Sequence, residues 1–272
     1  MRKLTCSLLF LAALAVTVGG TPAFAQTPAP AAQTKPFEPT QGQAGKDVVW
    51  VPTDQRLVDT MLDMAKVTPQ DYLMDLGSGD GRTVITAAKR GLRAQGIEYN
   101  PDMVDLSKRN AAAAGVSDRA TFVRGDIFET DFSKANVLTL FLLPQLNERL
   151  RPTILKMTPG TRVVSNSFGM GDWQADRTET IPNCSVSFCT ALLWIVPANV
   201  AGTWQVGNET LTLDQKYQMI SGRLGSSVLT EGKMNGPDIA FTEGGKKYTG
   251  KVMGASMSGT IAGGGSWTAT KK

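Results

Sequence analysis

Asp71-Tyr-Leu-Met-Asp75-Leu-Gly77-Ser-Gly79-Asp-Gly81-Arg82 is the stretch on which the reading of this chain turns. A short apolar run, Tyr72 to Leu76, carries one acid and passes into three glycines that alternate with other residues. A segment of helical spacing, Thr83 to Arg90, follows at once. The order is strand, glycine turn, helix. Such a turn is expected to bring bare backbone N–H groups to a ligand at the carboxyl edge of a parallel sheet. Glycine suits it because positive φ costs it little and no side chain blocks the approach. The spacing excludes two common uses of a glycine turn. A dinucleotide fingerprint needs its third glycine where Arg82 stands, and a phosphate P-loop needs Gly-Lys-Ser/Thr after the turn.

Two further acids fall at strand ends. Arg93-Ala-Gln-Gly-Ile-Glu98 reads as a second strand closing on a carboxylate, and Ala120-Thr-Phe-Val-Arg-Gly125-Asp126 as a third. Either acid alone reads equally well as an ordinary solvated strand end. Asp75, Glu98 and Asp126 together, at three successive strand ends, favour a ligand site. The pattern D-x-G-x-G-x-G resembles motif I of the class I S-adenosylmethionine-dependent methyltransferases. Against an adenosine ligand, Glu98 can accept from both ribose hydroxyls and Asp126 from the adenine amino group.

The chain has 272 residues, room for one large domain or two small ones. Its start reads as a secretory signal over residues 1–25. Arg2 and Lys3 precede an apolar run from Leu8 to Val18, too short to span a bilayer, and then Ala23-Phe24-Ala25. Cleavage is expected after Ala25, with no cysteine there to take a lipid anchor. The mature chain would be exported, in a periplasmic type of compartment, without a stable membrane anchor. Its net charge would fall from +4 to about +2, and no basic run marks a nucleic-acid surface. Residues 26–46, rich in Pro, Ala, Gln, Thr and Gly, read as a flexible linker.

The chain has no histidine, which excludes His triads, His bases and His metal ligands. No metal site is expected. Cys184 and Cys189 remain after signal removal, and the sequence leaves open whether they form a disulfide or lie as two thiols.

Strand and helix alternate through residues 47–200. A helix capped by Asp54 runs towards Val67, and Pro101 opens another that stops at Gly115. A further helix follows Pro144, and strands are expected near 136–141, 161–167, 178–186 and 188–196. The fold class is α/β, a Rossmann-like sheet wrapped by helices. Residues 201–272 change character. Short alternating runs separated by glycines predict six to eight antiparallel strands in a small barrel or sandwich.

Residues 50–173 resemble the seven-strand protein-lysine methyltransferases, in particular those acting on the ATP synthase c-subunit and the adenine nucleotide translocase. The resemblance rests on Val51-Pro-Thr53, Met74 to Arg82, Gly96-Ile-Glu98, Gly125-Asp126, Thr139-Leu-Phe-Leu-Leu-Pro144, Leu150-Arg-Pro152 and Pro159 to Ser165 with Gly169-Met-Gly-Asp-Trp173. It implies S-adenosylmethionine on the loop Gly77, Ser78, Gly79 and Gly81, with the ribose on Glu98 and the adenine beside Asp126. Asp75 would support the loop or the cofactor's amino group, and Pro52 and Thr53 would close over it. Phe141, Leu142, Leu143 and Pro144 fall where base and glutamine methyltransferases carry polar groups, and none is present here. An apolar collar there would desolvate a protein lysine and favour its neutral amine. Two other readings stay open. One is an exported, non-catalytic binding module on a degenerate scaffold. The other is a small-molecule methyltransferase sharing the same cofactor site.

Overall fold

The computed structural model describes Met1, residues 37–184 and residues 187–272. The signal segment, its cleavage point, Cys6 and residues 26–36 of the expected linker lie outside these. The first helix, α1 (Gln55–Met64), starts where the Asp54 carboxylate accepts the Arg56 N–H, an N-cap that satisfies an otherwise orphaned donor. Its Leu57, Val58, Met61 and Leu62 are buried. The chain then alternates: β1 (Tyr72–Leu76), α2 (Arg82–Lys89), β2 (Arg93–Glu98), α3 (Pro101–Ala113), β3 (Ala120–Arg124), β4 (Val137–Leu140), α4 (Pro144–Ile154) and β5 (Arg162–Asn166). A hairpin-like pair, β6 (Arg177–Thr180) and β7 (Thr190–Ile195), completes the sheet.

The seven strands lie in the order β3-β2-β1-β4-β5-β7-β6. β1 to β5 are parallel, and β7 runs antiparallel to both β5 and β6. Strand order reverses between β1 and β4, which leaves a crevice at their carboxyl ends, where ligands bind in open α/β sheets. Every residue of β4 is buried, as a central strand covered by helices on both faces requires. One apolar core lies under α1, α2 and α3, and a second packs Leu150 and Ile154 of α4 with Trp173 and Trp194.

The tail forms β8 (Gly202–Val206), β9 (Glu209–Lys216), β10 (Met219–Leu224), β11 (Ser227–Val228), β12 (Thr230–Asn235), β13 (Asp238–Glu243), β14 (Lys246–Met253), β15 (Ser256–Ile261) and β16 (Ser266–Lys271). Consecutive strands pair antiparallel, apart from short β11, and β16 returns to pair with β8. Nine strands form where six to eight were expected, and of the two architectures expected this closed meander is the barrel. Alternate residues fill it: Leu211 and Leu213, Ile239 and Phe241, Trp267 and Ala269. Phe241 and Tyr248 stack inside with ring centroids 4.9 Å apart. The barrel is fixed to the sheet by Tyr217, which stacks on Trp173 at 5.7 Å and donates its hydroxyl to Asp172 at 2.6 Å.

Candidate active site

The loop after β1 is held from three sides. Gly77, Gly79 and Gly81 have φ of 82°, 54° and 83°, the left-handed region that other residues adopt at a cost. Gly77 and Ser78 both donate N–H to the Ile97 carbonyl, at 2.9 and 3.0 Å, and Gly81 donates to Ser78 O at 2.9 Å. Gly79 N–H donates to Glu98 Oε2 at 2.9 Å. These four N–H groups are therefore taken by the protein itself, which corrects the expectation that the turn presents them bare. The glycines also serve close packing. A Cβ on Gly79 would come within 2.8 Å of the Trp50 indole nitrogen, and one on Gly81 within 2.7 Å of the Phe122 ring. From behind, α3 adds Ser107 Oγ on Gly79 O at 2.8 Å and Asn110 Nδ2 on Asp80 O at 2.9 Å. Ser78 is buried, its hydroxyl turned under the loop towards Gly96, where it finds no hydrogen-bond partner.

The expected acids surround this loop. Glu98 accepts Gly79 N–H on one oxygen and Asn100 N–H on the other, both at 2.9 Å. Each oxygen keeps a lone pair for a ligand. Asp75 is buried and accepts the Thr139 hydroxyl at 2.6 Å. Its pKa is pushed up to about 7, first by burial, then by the neighbouring charges of Glu98 and Asp80, against the Thr139 hydrogen bond. Among the described residues no cation pairs with it.

Asp126 already has partners within the protein. Its Oδ2 is bound by the Lys46 ammonium and its Oδ1 by Phe128 N–H at 2.9 Å. The Lys46 hydrogen bond, then that of Phe128, holds its carboxyl below the usual range. Lys46 arrives on a small hairpin that the linker reading missed. Gly42 N–H donates to Trp50 O at 2.8 Å, Trp50 N–H to Gln43 O at 2.9 Å, and Gly45 N–H to Val48 O at 3.0 Å. The end of the expected linker is thus a built strap, and its tip carries Lys46, 4.9 Å from the Tyr99 ring centre. Pro52 and Thr53 continue the strap along the cleft wall. Arg82 clamps it, donating to Thr53 O at 2.6 Å while its guanidinium pairs with Asp80, again at 2.6 Å. Asn166 Nδ2 adds a hydrogen bond to Thr53 Oγ1 at 3.2 Å.

Strap, loop and strand ends enclose a cavity of about 510 Å³, within the size range of small-molecule and cofactor sites. Its far end lies beyond β4, and there the expected collar is redistributed. Phe141 lies half-buried at the wall, Leu142 is buried beside the loop, facing Gly77, and Leu143 is 42% exposed at the start of α4. Pro144 opens α4 and is not among the lining residues. The partners of Phe141 come from elsewhere. Phe168, after β5, stacks on it with centroids 6.1 Å apart, and Phe188, before β7, meets it edge-on at 5.3 Å. Asn147 on α4 fixes the turn bearing Phe168, donating to Phe168 O and Gly169 O at 3.1 Å each.

Residues 75–177 match the profile of a family described as the ANTKMT methyltransferase domain. The chain is 45% identical over 152 residues to a protein-lysine N-methyltransferase of Saccharolobus islandicus (strain REY15A), covering 55% of this chain and 94% of that one. The chain belongs to this methyltransferase family. It is also 35% identical over 130 residues to the ATP synthase c-subunit lysine N-methyltransferase of Mus musculus, spanning 47% of this methyltransferase but only 52% of the mouse protein. A crystal structure of a Salinibacter ruber protein, described as an RNA methyltransferase in complex with S-adenosyl-L-homocysteine, is similar at 46% identity and a TM-score of 0.52. That similarity covers 55% of this methyltransferase and 96% of the solved chain. The enzyme is S-adenosylmethionine-dependent. The cleft suits that cofactor: it has a buried acid with no cation among the described residues, a carboxylate with free lone pairs beside the loop, and a volume in the range of cofactor sites.

Proposed function

We propose that the enzyme transfers a methyl group to the side-chain amine of a protein lysine. The aromatic wall of Phe141, Phe168 and Phe188 at the end of the cleft beyond β4 carries this reading. A nucleobase or carboxamide acceptor needs hydrogen-bonding groups along its edge, and these rings offer none. The named activities of the relatives in Saccharolobus islandicus and mouse support the same acceptor. The Salinibacter ruber protein is described as acting on RNA instead, so nucleic acid is the outcome to test against.

When bound, S-adenosylmethionine supplies an electrophilic methyl on a sulfonium. In this proposal Glu98 accepts from the ribose hydroxyls with its remaining lone pairs, and ionised Asp75 receives the ammonium. Asp126 shares its carboxylate between Lys46 and the adenine amine, while Gly77, Ser78, Gly79 and Gly81 let the backbone approach. Pro52 and Thr53 exclude water from above.

The three rings then act on the acceptor amine. A free lysine has a pKa of about 10.4 and must lose its proton before it attacks. Ring faces favour the cation by about 2 kcal/mol or more when water is excluded. Full burial disfavours it by up to about 3–5 pKa units, or roughly 4–7 kcal/mol. In this proposal the bound acceptor chain completes the desolvation that the half-buried rings begin, and the wall receives a neutral amine without a histidine base. The rest is in-line placement of nitrogen, methyl and sulfur.

We also propose export. The signal-like start and the Cys184–Cys189 disulfide, with Cα atoms 5.8 Å apart, suit an oxidising compartment. Sequencing the amino terminus of the protein made in cells tests this, with Gln26 as the expected first residue.

The test of the acceptor is incubation of the purified enzyme with tritiated S-adenosylmethionine and a cell extract. Label on protein, mapped by mass spectrometry to lysine, is expected. Label confined to RNA or to small molecules would overturn the reading.

A further inference from the structure

Phe188 is the member of the aromatic wall with the weakest hold from regular structure. Phe141 directly follows β4 and Phe168 follows β5, each close behind a fully buried strand end. Phe188 sits in the connection between β6 and β7, on the edge of the sheet. That connection is tied down at two places. Arg56 of α1 donates to the carbonyls of Pro182 and Asn183. Cys184 is bonded to Cys189, the residue after Phe188. The Phe188 ring lies 5.5 Å from Phe168 and 5.3 Å from Phe141, so it closes the wall rather than extending it.

We propose that the Cys184–Cys189 disulfide positions Phe188 as the closing face of the acceptor mouth, so that acceptor recognition depends on the disulfide while cofactor binding does not. The proposal rests on the reading of the ring-lined end as the acceptor half. The disulfide is the positioning element here, and Phe188 is the ring that meets the acceptor. Its backbone neighbour carries the cross-link, and the cross-link limits how far the ring can swing from Phe141 and Phe168. The loop, acids and strap of the cofactor half lie on other connections. Dithiothreitol breaks the S–S bond, giving two thiols on the protein and the cyclic disulfide of the reagent.

Two measurements test this on the purified enzyme, oxidised and reduced. The first uses Phe188→Trp and needs no acceptor. Its emission, taken as the difference from the parent with its five native tryptophans, is expected to shift to the red on reduction, as the ring leaves its neighbours for water, and an unmoved difference spectrum overturns the proposal. The second measures label transfer to extract protein against S-adenosylmethionine binding by calorimetry. Reduction is expected to lower kcat/KM for the protein acceptor about tenfold while cofactor Kd stays within about twofold. Phe188→Ala, with the disulfide intact, is expected to reproduce that split. Parallel loss of cofactor binding and transfer would mark the disulfide as merely structural and sink the idea, as would unchanged transfer. An oxidised parent that labels no protein at all would instead defeat the lysine reading, and the emission measurement would still decide where the disulfide holds Phe188.

Discussion

The two halves of the cleft are built in opposite ways. The cofactor half comes mainly from one contiguous turn and the acids flanking it, and hydrogen bonds fix it: Gly79 on Glu98, Ser107 on Gly79, Arg82 on Thr53. The acceptor half comes from three connections distant in sequence; ring contacts hold the side chains together, and Asn147, Arg56 and the Cys184–Cys189 disulfide anchor two of their backbones. A hydrogen-bonded site fails when a central acceptor is removed, because its donors are left stranded. A packed wall fails more gradually, because neighbouring apolar groups relax into part of the gap.

The largest expected effect follows from that contrast. Glu98→Ala strands the N–H groups of Gly79 and Asn100, which it holds at 2.9 Å, and removes the acceptor proposed for the ribose. Hydrogen bonds to a charged group contribute about 1.5–3 kcal/mol each, so S-adenosylmethionine affinity should fall about a hundredfold or more by calorimetry. A loss below about threefold would mean that the glycine turn keeps its shape unaided, and the contrast between the halves would break.

Phe141→Ala should act on the other half alone. Opening the wall lets water reach the acceptor, and kcat/KM for protein labelling should fall about thirtyfold with cofactor Kd within about twofold. The pH optimum should move upwards, towards the free amine value of about 10.4. An equal loss in cofactor binding would show the halves to be coupled. The redistribution of the collar also changes which residue to test: an acid at Leu142 would be buried beside the loop at Gly77 and would disrupt the cofactor half instead.

The same contrast explains what the sequence makes legible. Asp75 to Gly81 is readable because positive φ demands glycine and the residues are contiguous. Glu98 and Asp126 are readable because strands end on them. Nothing local pairs Phe141 with Phe168 and Phe188; the strand order β4-β5-β7 does so. Phe168 lies inside the segment that resembles the lysine enzymes, and Phe188 lies next to Cys189, so both carried a signal of a different kind. The strap hid in linker-like composition, and its Gly42 and Gly45 read as flexibility when they are turn residues. Ser107 and Asn110, a turn apart on α3, look like any polar helix face. In the tail, glycine spacing marks the strands, but closure depends on β16 meeting β8, which no short-range pattern announces.

Asp75 sharpens the cofactor side further. Its folded pKa of about 7 lies above the unfolded carboxylate value, so the folded enzyme holds a proton that the unfolded chain releases. The free enzyme should therefore lose stability as pH rises from about 4 to about 7, by no more than about 4 kcal/mol. Asp75→Asn should remove that slope and raise the melting temperature at pH 8 relative to the parent. For the parent, S-adenosylmethionine affinity should rise about tenfold between pH 6 and pH 8, as Asp75 ionises to receive the ammonium. A flat affinity profile in calorimetry would take Asp75 out of the cofactor's reach.

Lys46 carries the smallest expected effect, because an exposed ion pair contributes little on its own. The ammonium pins the tip of the strap to Asp126, at the end of the cleft opposite the rings. A carboxylate has lone pairs enough to hold both an ammonium and an adenine amine, so the latch and the cofactor need not compete. Lys46→Ala should therefore loosen the strap without emptying the site, and cofactor release in stopped-flow should quicken about two- to threefold. Salt gives the sign independently. Raising ionic strength to about 0.5 M screens the pair and should speed release from the parent while leaving the variant unchanged. Slower release from Lys46→Ala would mean that the ammonium competes for Asp126 instead of latching the strap, and the hydrogen-bonded half would then carry an inhibitor of its own cofactor.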